Sequence, residues 1–357
     1  MDREWSEKNK AIRALLSKAA SFEAGMDALV QFRAEMLGQI DHIMKDYPED
    51  AFYQMPFAGA KGYHSKTLAY SVWHIFRIED IVAHEMIAGD RQVLFSQGFD
   101  ASVRSPIVTT GNELSGDALV AFSRALDIVQ LHRYARAVAE STDRILKELK
   151  YPDLKRKFGE ETRTRLQDSG CVSDDESACW LIDYWCGKDV RGLIGMPFSR
   201  HWIMHIEAMN RIKNRLCKMA RRGVDPVACC GLSCRHCFLA EWCGSCRTSY
   251  NVCAFAACSP DGACPNVKCC REKGIDGCYE CDDLEVCEKG FYTPTNDGAS
   301  AARAQSLYIR AHGKRAFLAM QDQLHERYDF DKTQEILGQD VAEGLRIMEA
   351  AGSETGK

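Results

Sequence analysis

Apolar residues recur at three- and four-residue intervals through most of the chain, and almost no stretch alternates in the way a strand would. Residues 1–20 predict a short leading helix with Trp5, Ile12, Leu15 and Leu16 as its apolar contacts. A second helix follows Ser21, read as its N-cap, with Phe22, Met26, Leu29, Met36 and Ile40 at helical spacing until Asp46-Tyr47-Pro48 interrupts it. A third is predicted over 65–88, with Leu68, Val72, Ile75, Val82 and Met86 along one stripe. Residues 90–114 read as irregular. The clearest helix after Ser115 carries Tyr134, Val138, Thr142, Ile145 and Leu149. Residues 150–175 are polar, with no strand signal. The pattern is helical again from Glu176, and Pro197 is expected at the first turn of a helix lined by Phe198, Trp202, Met209, Ile212 and Leu216.

These elements predict a mainly α protein, with a four-helix bundle over 21–220. A cysteine-rich segment follows, bounded by turn residues at 223–226 and 294–298. Residues 299–350 then read as two or three helices, one of them ended by Gly313. A length of 357 residues suits two or three domains. The boundaries drawn are 1–222 for the bundle, 223–297 for the cysteine-rich domain and 298–357 for a C-terminal helical extension.

Composition narrows the class. A net charge of −5 and a pI near 6.1 argue against a nucleic-acid binder, which would show a basic face. The shares of 46% apolar and 27% charged residues are those of a soluble globular protein. No apolar run reaches the roughly 18 residues of a membrane span, and the first residues lack the apolar core of a signal peptide. The expected location is therefore the cytoplasm, where thiols stay reduced and a disulfide framework is the weaker reading of the cysteines.

Fourteen of the eighteen cysteines lie between Cys229 and Cys287. Three C-x-x-C pairs, Cys234/Cys237, Cys243/Cys246 and Cys278/Cys281, each aim two sulfurs at one point from a single turn, as a tetrahedral zinc site or an iron–sulfur cluster requires. Candidate ligands are Cys230, Cys234, Cys237, Cys243 and Cys246 in the first group, and Cys270, Cys278, Cys281 and Cys287 in the second. Cys264 and Cys269 also belong to the later group, with Cys253 and Cys258 as spares. Adjacent pairs such as Cys229-Cys230 rarely give both sulfurs to one ion. Spacing leaves zinc and iron–sulfur both open, although no C-x2-C-x2-C run of the bacterial ferredoxin kind occurs.

The segment FSRHWIMHIEAMNRIK sets His201 and His205 four residues apart, a rise of about 6 Å along one helix face, so both imidazoles can reach one metal ion. His74, in SVWHIFRIED, is the best third ligand; His64 and His84 are the alternatives on that segment. Three neutral imidazoles would leave an open coordination position, the mark of a catalytic site. The plain alternative is a histidine pair hydrogen-bonded on a half-buried face. Glu85 is a candidate base or orienting group, and Glu79 and Glu207 are neighbouring carboxylates. For each of these, a simple surface charge is the competing reading.

With those residues in view, the region 20–220 resembles the DinB-like superfamily of damage-inducible proteins and thiol-dependent transferases. That resemblance implies a divalent metal (Zn, Ni or Fe) on His74, His201 and His205. Tyr134-Ala-Arg-Ala-Val138 with Thr142 is similar to the family's third helix. Residues 229–292 resemble an uncharacterised cysteine-rich family whose pattern starts C-G-L-x-C-x-x-C. The matches are Cys230-Gly-Leu-Ser-Cys234-Arg-His-Cys237 and Cys278-Tyr-Glu-Cys281 with Cys287, while Cys243-Gly-Ser-Cys246 departs by one position. The function this implies is a metal-dependent S-transferase or related enzyme acting on a small-molecule substrate with a low-molecular-weight thiol, without nucleic-acid or membrane partners. The alternative, from another class, is a non-enzymatic metal- or redox-sensing protein whose bundle mediates homodimerisation.

Overall fold

The computed structural model describes residues 3–250, Ala256 and 263–353. The protein is mainly helical. Among the described residues the β-type pairings are two isolated bridges, Lys157 with Asp189 and Val227 with Ser233. No helix there is long and apolar enough to cross a membrane. Contacts divide the chain into two compact units, Met1–Ile212 and Lys213–Lys357.

The long helices of the first unit are α1 (Arg3–Leu15), α2 (Phe22–Asp46), α3 (Leu68–Asp80), α4 (Ile128–Glu148) and the start of α5 (Arg200–Ala220). α2 packs on α1 and α4, and α3 packs on α4. Every residue of α3 is buried, including the polar His74, Arg77, Glu79 and Asp80, which makes it the central helix of the unit. It starts at Leu68 rather than at 65, because the Thr67 hydroxyl accepts the Tyr70 N–H at 3.1 Å and caps the first turn. Beyond Asp80 it continues as a π-helix, Ile81–Ala88, closed by Gly89 in the left-handed region at φ 73° with its N–H on the His84 carbonyl. α4 is strongly amphipathic. Leu131, Tyr134, Val138, Thr142 and Leu146 face inward, and the Asp127 carboxylate caps it by accepting the Gln130 N–H at 3.0 Å.

Two local expectations differ from what forms, and one helix carries no sequence signal. Ser21 does not cap α2; its hydroxyl donates to the Leu15 carbonyl at 2.8 Å. Pro197 does not open α5 but lies in a turn before it, where the His201 N–H reaches the Met196 carbonyl at 2.9 Å. The polar stretch 150–175 contains a helix, Glu160–Asp168, that buries only Leu166 and so leaves almost no apolar period in the sequence.

The second unit contains α6 (Pro265–Lys273), α7 (Ala299–Arg327), α8 (Phe330–Gly338) and α9 (Val341–Ser353). Gly313, at φ 79° and ψ 164°, breaks α7 where the sequence places a helix end. Val227 and Tyr279 pack with Tyr308, Phe317, Met320, Leu337 and Met348. Cys264, Val267, Cys278 and Tyr292 pack with Ala302. The cysteine-rich segment and the C-terminal helices thus share apolar cores across the 297/298 boundary drawn from sequence.

Candidate metal centre

α5 presents Trp202, Ile203, Ile206, Met209 and Ile212 to the interior, so its helical register sends His201 and His205 inward as well. They meet His74 from α3. Ring centroids are 5.0 Å apart for His74 and His201, 4.8 Å for His74 and His205, and 4.6 Å for His201 and His205. One ligand nitrogen from each ring lies within 4.8 Å of the others. Among the described residues this is the one such gathering of three metal-ligating side chains. The three residues keep only 6%, 7% and 5% of their exposure, so the site is nearly closed to solvent.

Burial disfavours imidazolium. It lowers His74 to about 4, partly offset by the hydrogen bond to Thr110. It takes His201 and His205 well below the ordinary histidine value, and the neighbouring rings add repulsion. At neutral pH all three rings are therefore neutral and keep a lone pair for a cation. His74 Nδ1 lies 2.8 Å from the Thr110 carbonyl, a geometry that places the proton on Nδ1 and leaves Nε2 as the ligand atom. Tyr70 stacks on the ring at 5.3 Å and donates its hydroxyl to the Gly111 carbonyl. His201 Nδ1 is buried without a hydrogen-bond partner, as expected of a ring arranged around a cation rather than a protein acceptor. The donor set fits zinc, nickel or iron.

Beneath the histidines lies a buried ion network. Arg33 grips Glu79 with two N–H groups at 3.0 and 2.7 Å, and it donates to Asp143 at 2.6 Å and the Phe198 carbonyl at 3.0 Å. The Trp202 indole donates to Glu79 at 2.8 Å, and the Arg33 guanidinium stacks 4.7 Å from the Trp202 ring. Burial works against the Arg33 charge, but Glu79 and Asp143 outweigh it and raise its pKa. Glu79 is therefore a structural partner that ties α2 and α3 to the first turn of α5. Glu85 bonds Gln92 and faces Arg165 instead of the histidines. His84 is held by Asp90 at 2.5 Å.

Sequence reasoning missed Lys66. Its ammonium sits 4.5 Å from the Tyr70 ring centroid, donates to the Leu114 carbonyl, and is close enough to disfavour protonation of His74 and His205. Burial lowers its own pKa. The only signal in the sequence was its place two residues before α3, which alone identifies nothing.

In the second unit, Gly231 at φ 86° lets the chain turn between Cys230 and Cys234. A Cβ there would stand 1.9 Å from Ser306 Oγ, which bonds the Cys230 carbonyl and Tyr292. Cys229, passed over as a ligand in the sequence, is in contact with Cys246 and Cys270, whose thiols hold it well below the ordinary thiol value. Its N–H also donates to Cys246 Sγ at 3.2 Å. The Cys270 and Cys278 sulfurs are 3.8 Å apart. Cys234, Cys237 and Cys243 are electrostatic neighbours, and burial pushes Cys234 up to about 11 and raises Cys237. Cys230 is raised by burial, while Cys281 accepts from Lys273 at 3.1 Å. Cys287 lines a cavity with Cys281. Cys253 and Cys258 lie outside the described residues. No described cysteine forms a disulfide. Comparison of the chain with protein-family models, curated proteins and solved structures finds no match to any of them.

Proposed function

We propose that the first unit is a metal-dependent enzyme of the DinB-like four-helix-bundle kind, in which His74, His201 and His205 hold one divalent cation and a low-molecular-weight thiol attacks an electrophilic small molecule. The observation that carries this reading is the convergence of three buried, neutral imidazoles from two helices. A bound zinc, nickel or iron ion would supply Lewis acidity, lowering the pKa of a coordinated thiol. The chain's own residues do the rest. The Thr110 carbonyl fixes the His74 tautomer, and the Arg33–Glu79–Trp202 network fixes the start of α5 and hence the His201/His205 pair. The Lys66 ammonium, an electrostatic neighbour of His74 and His205, favours an anionic thiol over a neutral one. The enclosing apolar helices limit competing water.

The test is metal content and thiol-dependent turnover of an electrophilic dye by the wild type and His201→Ala. The variant should keep its circular dichroism spectrum, lose the divalent ion from this unit, and lose turnover. Undiminished turnover, or an unchanged affinity for added Zn2+ and Ni2+, overturns the proposal.

A further inference from the structure

We propose that Cys229, Cys246, Cys270 and Cys278 together bind one zinc ion, in a site that interleaves the two cysteine groups instead of closing within either. The four sulfurs run in a chain of contacts. Cys229 touches both Cys246 and Cys270, and the Cys270 and Cys278 sulfurs are 3.8 Å apart. Thiolates about 2.3 Å from one zinc ion stand about 3.8 Å from each other, so this pair already has the spacing of a tetrahedral edge. Each end sulfur touches a middle one. An ion lodged among them asks the thiols to turn and leaves the backbone anchors in place.

Those anchors join the two groups directly. The Cys278 N–H donates to the Cys229 carbonyl at 2.7 Å. α6, which carries Cys270, ends at Gly274 in the left-handed region at φ 65°. The Gly274 and Ile275 N–H groups donate to the Arg271 and Cys270 carbonyls, which turns the chain back toward Cys278. Arg247, next to Cys246, holds both other segments. Its Nε donates to the Val227 carbonyl at 3.1 Å and a terminal nitrogen donates to the Asp276 carbonyl at 2.8 Å. The residues two before Cys229 and two before Cys278 are thereby fixed beside Cys246. A site closed within Cys234, Cys237, Cys243 and Cys246 would need none of these long-range bonds.

The surroundings suit bound thiolates. Cys229, Cys270 and Cys278 are buried and Cys246 is half-buried. The Cys229 N–H donates to Cys246 Sγ at 3.2 Å, and the side-chain amide of buried Asn266 donates to Cys278 Sγ at 3.5 Å. Such N–H donors orient and stabilise metal-bound sulfur. Four thiolates around Zn2+ leave a surplus of negative charge, and the Arg247 guanidinium, an electrostatic neighbour of Cys229, offsets part of it. Soft sulfur donors select against magnesium and calcium, and zinc is the ordinary occupant of a closed set of four. Cys234, Cys237 and Cys243 stand outside this set as neighbours of one another.

The experiment measures bound zinc in the full chain, in Cys229→Ser, in Cys278→Ser and in the double variant, each equilibrated with the same buffered Zn2+. Either single substitution should remove about one zinc ion, and the double should remove that same ion and no more, because both residues hold it. Losses that add in the double variant, or no loss in either single, overturn the proposal. A second measurement needs only the wild type: alkylation of each cysteine, mapped by mass spectrometry while a chelator is titrated in. Cys229, Cys246, Cys270 and Cys278 should become reactive at one chelator concentration. Release of Cys229 and Cys246 at one concentration and of Cys270 and Cys278 at another overturns the proposal, as does wild-type protein holding iron and sulfide in place of zinc. His201→Ala should leave the alkylation pattern of these four thiols unchanged, so failure of either proposal leaves the other standing.

Discussion

Arg33 offers the sharpest test of what holds the histidine site together. Its side chain is 1% exposed and its partner Glu79 is fully buried. Arg33→Met therefore leaves a carboxylate in the interior with the Trp202 indole N–H as its remaining donor among the bonds described above. Breaking a buried pair by removing one partner costs about 3–5 kcal/mol, a large part of the roughly 5–15 kcal/mol by which a domain is stable. Asp143 is a quarter exposed and is rehydrated at little cost, so the loss arises mainly at Glu79. Arg33→Met/Glu79→Leu should recover most of it, because the stranded charge is gone. The remaining deficit is the unpaired Trp202 N–H, worth about 1–3 kcal/mol. Urea unfolding followed by tryptophan fluorescence measures all three, since Trp73 and Trp202 are buried in this unit. The reasoning is refuted if Arg33→Met costs under about 1 kcal/mol, or if the two substitutions simply add.

Acid should destabilise the metal-free protein. The folded His74 value of about 4 lies below the unfolded value near 6.5, so the unfolded chain takes up the proton first. Stability is full above about pH 6.5 and falls toward pH 4, by about 3 kcal/mol from this ring alone; urea midpoints that do not change over that window refute it. Gly231→Ala should cost about 2 kcal/mol or more in the second unit, from left-handed strain and the Ser306 clash, read as a lowered thermal midpoint. Lys66→Met should raise the KM for an anionic thiol with little change in kcat, measured by steady-state kinetics; unchanged KM removes Lys66 from the binding role.

Much of the helical architecture is local and therefore legible. The period of Leu131, Tyr134, Val138 and Thr142 is that of one buried face, and the break at Gly313 needs only a backbone that tolerates positive φ. The spacing of His201 and His205 likewise requires nothing beyond one helical turn. Other features have no periodic signature. Arg33 and Glu79 read as ordinary charges on their helices, 46 residues apart, and Glu85 looks as well placed as Glu79 until the fold turns it toward Gln92 and Arg165.

By itself, then, the sequence determined which segments become helices, which face of each is apolar, and that thiols are concentrated in one segment, because propensity and period act between near neighbours. Only tertiary packing decided that His74, rather than His64 or His84, joins the pair on α5, that Lys66 overlooks them, and that Cys229 sits with Cys246 and Cys270. Those pairings join residues up to 139 positions apart along the chain (His205 minus Lys66), a distance over which spacing carries no information and only the way the helices pack brings side chains together.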